Sequence, residues 1–194
     1  MTTHLENIHE LPAWCWDQMR RAAKDRRSEF RWLNLATVDS DGLPQVRTVV
    51  VREAVQSEHR VSFHTDMRSK KVAELTDHKA VALHLHSRRH AVQMRMAGLA
   101  VFSSEQRRER AWQTLHEGAK ATYAQSLSPG STIEPDVPRL NDGTPSTDDG
   151  FSNFVVFDVW ITSIDWLQLD SSGHRRALIT CQPGGGHKAT WLAP

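Results

Sequence analysis

Two arginines bracket a β-branched run in Arg47-Thr48-Val49-Val50-Val51-Arg52, and a second basic group follows at Ser69-Lys70-Lys71. Val and Thr suit a pleated, half-buried surface, so the first run reads as a strand. An unpaired buried charge is costly, so cations at the ends of such a strand need a partner. Phosphate oxygens supply one, since a guanidinium offers them a planar fork of donors and an ammonium adds a mobile point charge. The stretch from Arg47 to Lys71 therefore reads as an anion site carried on a sheet. Arg47 and Arg52 are five positions apart, which puts them on opposite strand faces. They grip one phosphate together only if a bulge or twist intervenes. Further on, period-two alternation in Val92-Gln93-Met94-Arg95-Met96 turns Gln93 and Arg95 to one face and the apolar residues to the other. Two polar groups on one face suit the edge of a ring that bears donors and acceptors. Taken alone, an ordinary solvated sheet face explains them more simply.

Other constellations carry less chemistry. His84 and His86 share one strand face, with His90 nearby, but no carboxylate or Cys stands at a metal-ligand spacing. No metal site is expected. Arg20, Arg21, Lys24, Arg26 and Arg27 read as a solvated helix face rather than a nucleic-acid surface. Cys15, between Trp14 and Trp16, has no visible base partner and reads as a packing residue. No nucleophile elbow, P-loop or dinucleotide fingerprint occurs, and no catalytic residue is assigned.

These groups need a scaffold, and the rest of the chain describes one. Leu11 to Arg27 reads as a helix, with Pro12 tolerated in its first turn. Trp32 to Val38 and Leu43 to Arg52 read as a hairpin across Asp39-Ser40-Asp41-Gly42, and Arg60 to Thr65 as the next strand. Ser69 suits the N-cap of a short helix. Lys79 to His86 and His90 to Phe102 read as a second hairpin, and Ser104 to His116 as a charged helix. Residues 128–150 are rich in Pro, Gly, Ser, Thr and Asp and read as a long loop. Strands resume over Phe151–Ile161, Ile164–Leu169 and Arg175–Cys181, before a Gly184-Gly185-Gly186 turn and a short tail ending in Trp191. Many short strands with few helices predict a mainly β fold with flanking helices, a closed or nearly closed antiparallel barrel.

The bulk properties exclude several classes. Lys plus Arg (24) nearly cancels Asp plus Glu (23) over 194 residues. No large field then favours nucleic acid or an anionic membrane, and a single domain over 1–194 is expected. No apolar run approaches spanning length and the N-terminus lacks a signal-peptide pattern. Two Cys make no disulfide framework, so a cytoplasmic setting is expected. Seven Trp against one Tyr leaves large rings for a core, an interface or stacking.

Six pieces in one order resemble the pyridoxamine 5′-phosphate oxidase family of FMN-binding split barrels. They are Arg47 to Arg52, Phe63-His64-Thr65-Asp66, Ser69-Lys70-Lys71, Gln93 to Gly98, Gln125-Ser126 and His174-Arg175-Arg176. The resemblance covers most of the chain from about Phe30 onward. It implies an antiparallel, Greek-key-like split barrel, FMN as cofactor, and a homodimer with FMN at the subunit interface. By the same resemblance, Arg47, Thr48, Val49, Val50 and Arg52 run along FMN, with Arg52 where the family usually has Lys. His64 and Thr65 match a pair usually written Tyr-Thr, and Ser69, Lys70 and Lys71 match the segment that holds the phosphate. Gln93, with Arg95 beside it, matches the flavin-ring contact. Gln125 and Ser126 match a pair reaching FMN from the other subunit, and Arg176 the C-terminal basic contact. The family's nearby Trp falls on Leu167, with Trp166 one position off.

The family's substrate-phosphate grip is altered here: the matching helix carries Trp112, no Arg-Pro pair follows, and the C-terminal run is contracted to His174-Arg175-Arg176. The reading is an FMN-dependent oxidoreductase acting on a small molecule. A true pyridoxamine 5′-phosphate oxidase and a non-enzymatic flavin or haem module stand as its alternatives.

Overall fold

In a computed structural model the described residues are 7–133 and 150–194. Helix α1 spans Leu11–Lys24, with Pro12 in its first turn and Arg21 and Lys24 in its last. It buries Leu11, Cys15, Trp16, Met19 and Ala22, spaced as one helical face requires. Strands β1 (Trp32–Val38) and β2 (Pro44–Val50) form the expected hairpin, and a short β3 (Glu53–Val55) precedes β4 (Arg60–Asp66). Helix α2 (Lys70–Asp77) leads to β5 (Ala80–Ser87) and β6 (Val92–Phe102), and then to α3 (Glu105–Gln113) and α4 (Glu117–Tyr123). Strands β7 (Phe154–Gln168), β8 (Arg175–Cys181) and β9 (His187–Leu192) complete the order. No helix among the described residues is long and apolar enough to cross a membrane.

All pairings are antiparallel, in the path β2-β1-β5-β6-β7-β4-β3, with β8 added to β7 and β9 to β8. The sheet curls into a half-barrel with helices on its flanks, the expected fold class. Strand alternation fixes which face is which. Val92, Met94 and Met96 point into the core while Arg95, Ala97 and Leu99 point out, as the sequence pattern implies. The core joins the α1 face to the inner residues of the sheet, with Trp16, Phe63, Phe157 and Trp166 fully covered. Each such ring or aliphatic group stabilises the fold by about 1.5–3 kcal/mol relative to exposure.

Several expected boundaries move. The first helix stops at Lys24 because Asp25 turns extended. Phe151–Asn153 form a 3-10 turn, and Phe154–Gln168 make one long strand rather than two, since a register shift opposite Ala97/Gly98 absorbs Thr162. Gly98 permits this close approach, as a Cβ there would sit 2.5 Å from the Trp160 carbonyl oxygen. The charged helix ends at Gln113, and α4 follows with the His116 ring accepting from Ala119 N at its start. The tail through Trp191 is strand β9. The expected loop at 128–150 falls mostly outside the described residues; its first residues, 128–133, carry no helix or strand.

Candidate functional site

Arg47 shares the inner face of β2 with Val49, beneath α2. Its Nη2 lies 2.6 Å from Glu74 Oε2, and its Nη1 donates to Thr37 Oγ1, whose hydroxyl bonds the same Glu74 oxygen. Lys71 Nζ donates to Thr65 Oγ1 at 2.9 Å and Ser69 Oγ at 3.1 Å. Burial, and then the Arg47 charge, lowers the Lys71 ammonium pKa, with Asp66 and Glu74 opposing. Two cations thus converge on one spot that holds one carboxylate partnered to Arg47. Ser69 sits at the N-cap position of α2 but makes no cap bond; its hydroxyl donates to Asp66 O at 2.7 Å. Val72 N donates to Ser69 O, which leaves the Lys70 and Lys71 amides to be satisfied from elsewhere, as an anion would do. Lys70 is exposed beside this group.

Arg52 and His64 belong elsewhere: the expected strand through Arg52 ends at Val50, and Arg52 lies past it with its backbone N bonded to Ser62 O on β4. Both line a cavity of about 530 Å3 together with Arg26, Arg107, Arg110 and Glu53. Behind it, Asp158 accepts from Ser62 Oγ at 2.6 Å, Arg107 Nη2 at 3.2 Å and Arg60 Nη1 at 3.3 Å. Glu53 takes Arg60 at 2.8 Å and also Arg107, so these two guanidinia are neutralised by carboxylates. The Arg26, Arg52 and Arg110 side chains have no hydrogen-bond or ion-pair partner among the described residues. Burial is the main cause of the lowered Arg52 pKa; Tyr123 opposes it, and repulsion from Arg31 and Arg26 adds smaller lowering. His64 packs edge-on against Phe154 and leaves Nδ1 buried without a partner. Burial, followed by the Arg52 charge, pushes its imidazole down to about 3, so it is neutral near pH 7.

A third group decorates the outer sheet face. His84 Nε2 and Gln93 Oε1 are 3.3 Å apart. Arg95 and Arg176 both pair with Asp165, Arg176 Nη2 at 2.7 Å. The Arg176 hydrogen bond is the main cause of the lowered Asp165 pKa, with Arg95 adding to it against burial. Leu167 is the cross-strand partner of Gln93, whereas Trp166 is fully buried on the other face. Thr48 and Val50 share the outer side of β2, and Thr48 Oγ1 donates to Asn34 at 3.1 Å. Val49 is core. The carbonyls of Gln125 and Ser126 accept from Arg68 Nη1 at 2.8 and 3.4 Å, which ties them to the turn preceding Lys70.

Within one chain, then, the expected residues fall into three groups, not one. Sequence reasoning missed Thr37 and Glu74 around Arg47, and Arg26, Arg107 and Arg110 around the cavity. Arg107 and Arg110 belong to a charged helix with little apolar periodicity, which left its inward side unreadable. Trp112 packs against Tyr123, Phe151 and Phe154.

A curled antiparallel half-barrel with a basic cluster under α2 defines the class of FMN-binding split barrels. Residues 13–104 match the family model described as pyridoxamine 5′-phosphate oxidase, FMN-binding domain. Residues 13–104 are thus similar to a pyridoxamine 5′-phosphate oxidase-like FMN-binding domain, whose cofactor is FMN. The fold of the chain is similar to that of a pyridoxamine 5′-phosphate oxidase-related, FMN binding protein of Nostoc punctiforme, at a TM-score of 0.72 and 22% identity over 93% of this chain and 96% of that one. It is also similar to PhzG of Burkholderia lata in complex with tetrahydrophenazine-1-carboxylic acid, at a TM-score of 0.73 and 21% identity over 98% and 95% of the two chains. Comparison with curated proteins gives no match.

Proposed function

We propose that this chain is an FMN-dependent oxidoreductase whose substrate is an anionic small molecule, working as a homodimer. The observation that carries the reading is the cavity of about 530 Å3 where Arg26, Arg52 and Arg110 stand without side-chain partners around a neutral His64. All three residues are exposed, so water solvates them in the free protein, and a carboxylate or phosphate entering the cavity meets guanidinia with no carboxylate among the described residues already paired to them. The PhzG structure, with its bound carboxylic acid, makes carboxylates the first class to try.

The Arg47, Thr65, Ser69 and Lys71 cluster fits the FMN phosphate, with Lys70 at its rim and Arg68 tying in Gln125 and Ser126. Gln93 is the proposed ring contact; Arg95 and Arg176 lie on the same outer face. Thr48 and Val50 flank the cofactor on the outer side of β2, while Val49 anchors the strand in the core. When bound, FMN supplies hydride and electron transfer. Arg52 and Arg110 hold the substrate anion, and His64 offers a neutral ring nitrogen for a hydrogen bond. Trp32 (60% exposed) and Val46 (70%) present apolar surface on the outer sheet face, which supports burial against a second copy.

The test loads the purified protein with FMN and screens small carboxylates and phosphates, pyridoxamine 5′-phosphate included, for flavin reduction without oxygen or turnover with it. NADPH and NADH serve as candidate donors in parallel. Anion-dependent flavin reduction is the expected result. A yellow protein indifferent to every anion and every donor would overturn the reading in favour of a flavin carrier.

A further inference from the structure

We propose that His59, Cys181 and His187 form a binding site for a thiophilic divalent metal ion of the Zn2+ class, remote from the flavin chemistry in role. The ligand atoms of these three residues all lie within 4.8 Å of one another. They arrive from separate places in the chain. His59 ends the turn before β4, while Cys181 and His187 are directly paired across the β8–β9 hairpin. The two imidazole rings stand 4.6 Å apart at 70°.

The surroundings hold these groups in place. His59 is nine-tenths buried, yet its Nε2 has no hydrogen-bond partner among the described residues. Its backbone occupies the left-handed region at φ 51° and is pinned on both sides, with its N bonded to Gln56 O and its O accepting from Ile161 N at 2.7 Å. The hairpin turn is closed by Gln182 N to Gly186 O at 2.8 Å and packs on the segment that carries His59, where Gly185 abuts Ser57. Cys181 is a free, half-covered thiol. Burial raises its pKa to about 11, while burial and then His59 lower that of His187. Two imidazoles and one thiol are the donor set that tetrahedral Zn2+ takes, with a fourth position left for water. Loading forms a metal–sulfur bond and releases the Cys181 proton to solvent.

Trp16 makes the site report on itself. Its Nε1 donates to His187 Nε2 at 3.1 Å, and the ring is fully buried. Metal at Nε2 takes the lone pair this bond uses. Metal at Nδ1 moves the ring proton onto Nε2, where it faces the indole N–H. On either nitrogen the Trp16 hydrogen bond breaks.

The experiment strips the full-length, FMN-loaded protein with a chelator and titrates it with Co2+, then with Zn2+. Expected are a sulfur-to-cobalt charge-transfer band that saturates at one ion per chain, its loss on adding Zn2+, a raised melting temperature and a shifted Trp16 indole N–H resonance. Cys181→Ser abolishes the band, and His59→Asn weakens Co2+ binding at least tenfold. Should Cys181→Ser fold poorly, Cys181→Ala and the indole resonance of the unaltered protein decide the matter. No band and no resonance shift at millimolar metal overturns the site, as does a band that survives loss of Cys181. These readouts leave the flavin untouched, so a failure here is distinguishable from a failure of the proposed function.

Discussion

The Arg47 guanidinium and the Glu74 carboxylate lie 2.6 Å apart, with the Glu74 side chain 9% exposed and that of Arg47 22%. The residue proposed to grip the FMN phosphate therefore has an internal counter-ion, and the phosphate must share Arg47 with it. Glu74→Gln leaves Arg47 without its carboxylate partner beside Lys71. Removing one partner of a partly buried pair destabilises the apo protein by about 1–3 kcal/mol, below the fully buried figure. That lowers its melting temperature by roughly 2–12 °C. The same change tightens FMN binding, because the phosphate no longer shares Arg47 with a carboxylate. Arg47→Ala does the reverse, weakening FMN about ten- to a hundredfold as a charge-assisted contact is lost. Thermal melts of apo protein and FMN titrations by flavin fluorescence check both signs.

Arg52 and Arg47 diverge to different sites, so their substitutions separate. Arg52→Met keeps FMN affinity within a few-fold of the parent, since the Arg47 and Lys71 cluster is intact. It raises KM for an anionic substrate by roughly ten- to a hundredfold, the worth of one charge-assisted hydrogen bond. A neutral analogue of that substrate shows no such change. If Arg52→Met instead releases FMN and spares KM, the cavity is not the substrate site.

The buried imidazole of His64 makes stability acid-sensitive. Its folded pKa of about 3 lies below the ordinary value of 6.5, because burial and then Arg52 disfavour the cation. Between those values only the unfolded chain takes the proton. Stability is therefore full above pH 6.5 and falls as pH drops toward 3, by at most about 1.4 kcal/mol per unit from this group. By pH 5 the loss from His64 is about 2 kcal/mol. His64→Asn should flatten that part of the curve, measured as urea midpoints at pH 7 and pH 5. An unchanged difference between the two pH values would count against a neutral, buried His64.

The strand pattern was legible because alternation is local: β1 and β6 follow it residue by residue, whereas Arg52 parts from Arg47 because β2 ends at Val50. What failed depended on partners far along the chain. Thr162 and Ser163 read as a break, yet the ladder to β6 carries β7 through a bulge. The charged helix reads as running to His116, yet it ends at Gln113 and the His116 ring caps a separate α4. The tail became β9 because β8 offered it an edge. Motif order located Arg47, Ser69 and Lys71 together, but Glu74 and Thr37 reach that cluster only through packing of α2 on β1. The His59, Cys181 and His187 cluster has no sequence spacing to betray it, since two of its members meet the third only in the folded chain.

Gly98 closes the motif that begins at Gln93, and the structure gives it a steric role. A Cβ there would lie 2.5 Å from Trp160 O and 3.1 Å from Val159 Cγ1, so backbone must move. Gly98→Ala should destabilise the protein by about 1–3 kcal/mol, the usual range for overpacking. The strain falls on the β6–β7 register that holds Gln93 opposite Leu167 and Arg95 opposite Asp165. FMN reconstitution should therefore weaken along with stability. Gly42 is the control: its φ is 78° but a Cβ there meets nothing within 4 Å. Ala at position 42 costs only the left-handed backbone, about 1–2 kcal/mol, and leaves FMN affinity unchanged. Melting curves and FMN titrations of the two variants separate steric crowding at the bulge from glycine's conformational freedom, and equal effects on FMN binding would rule out the register as the link.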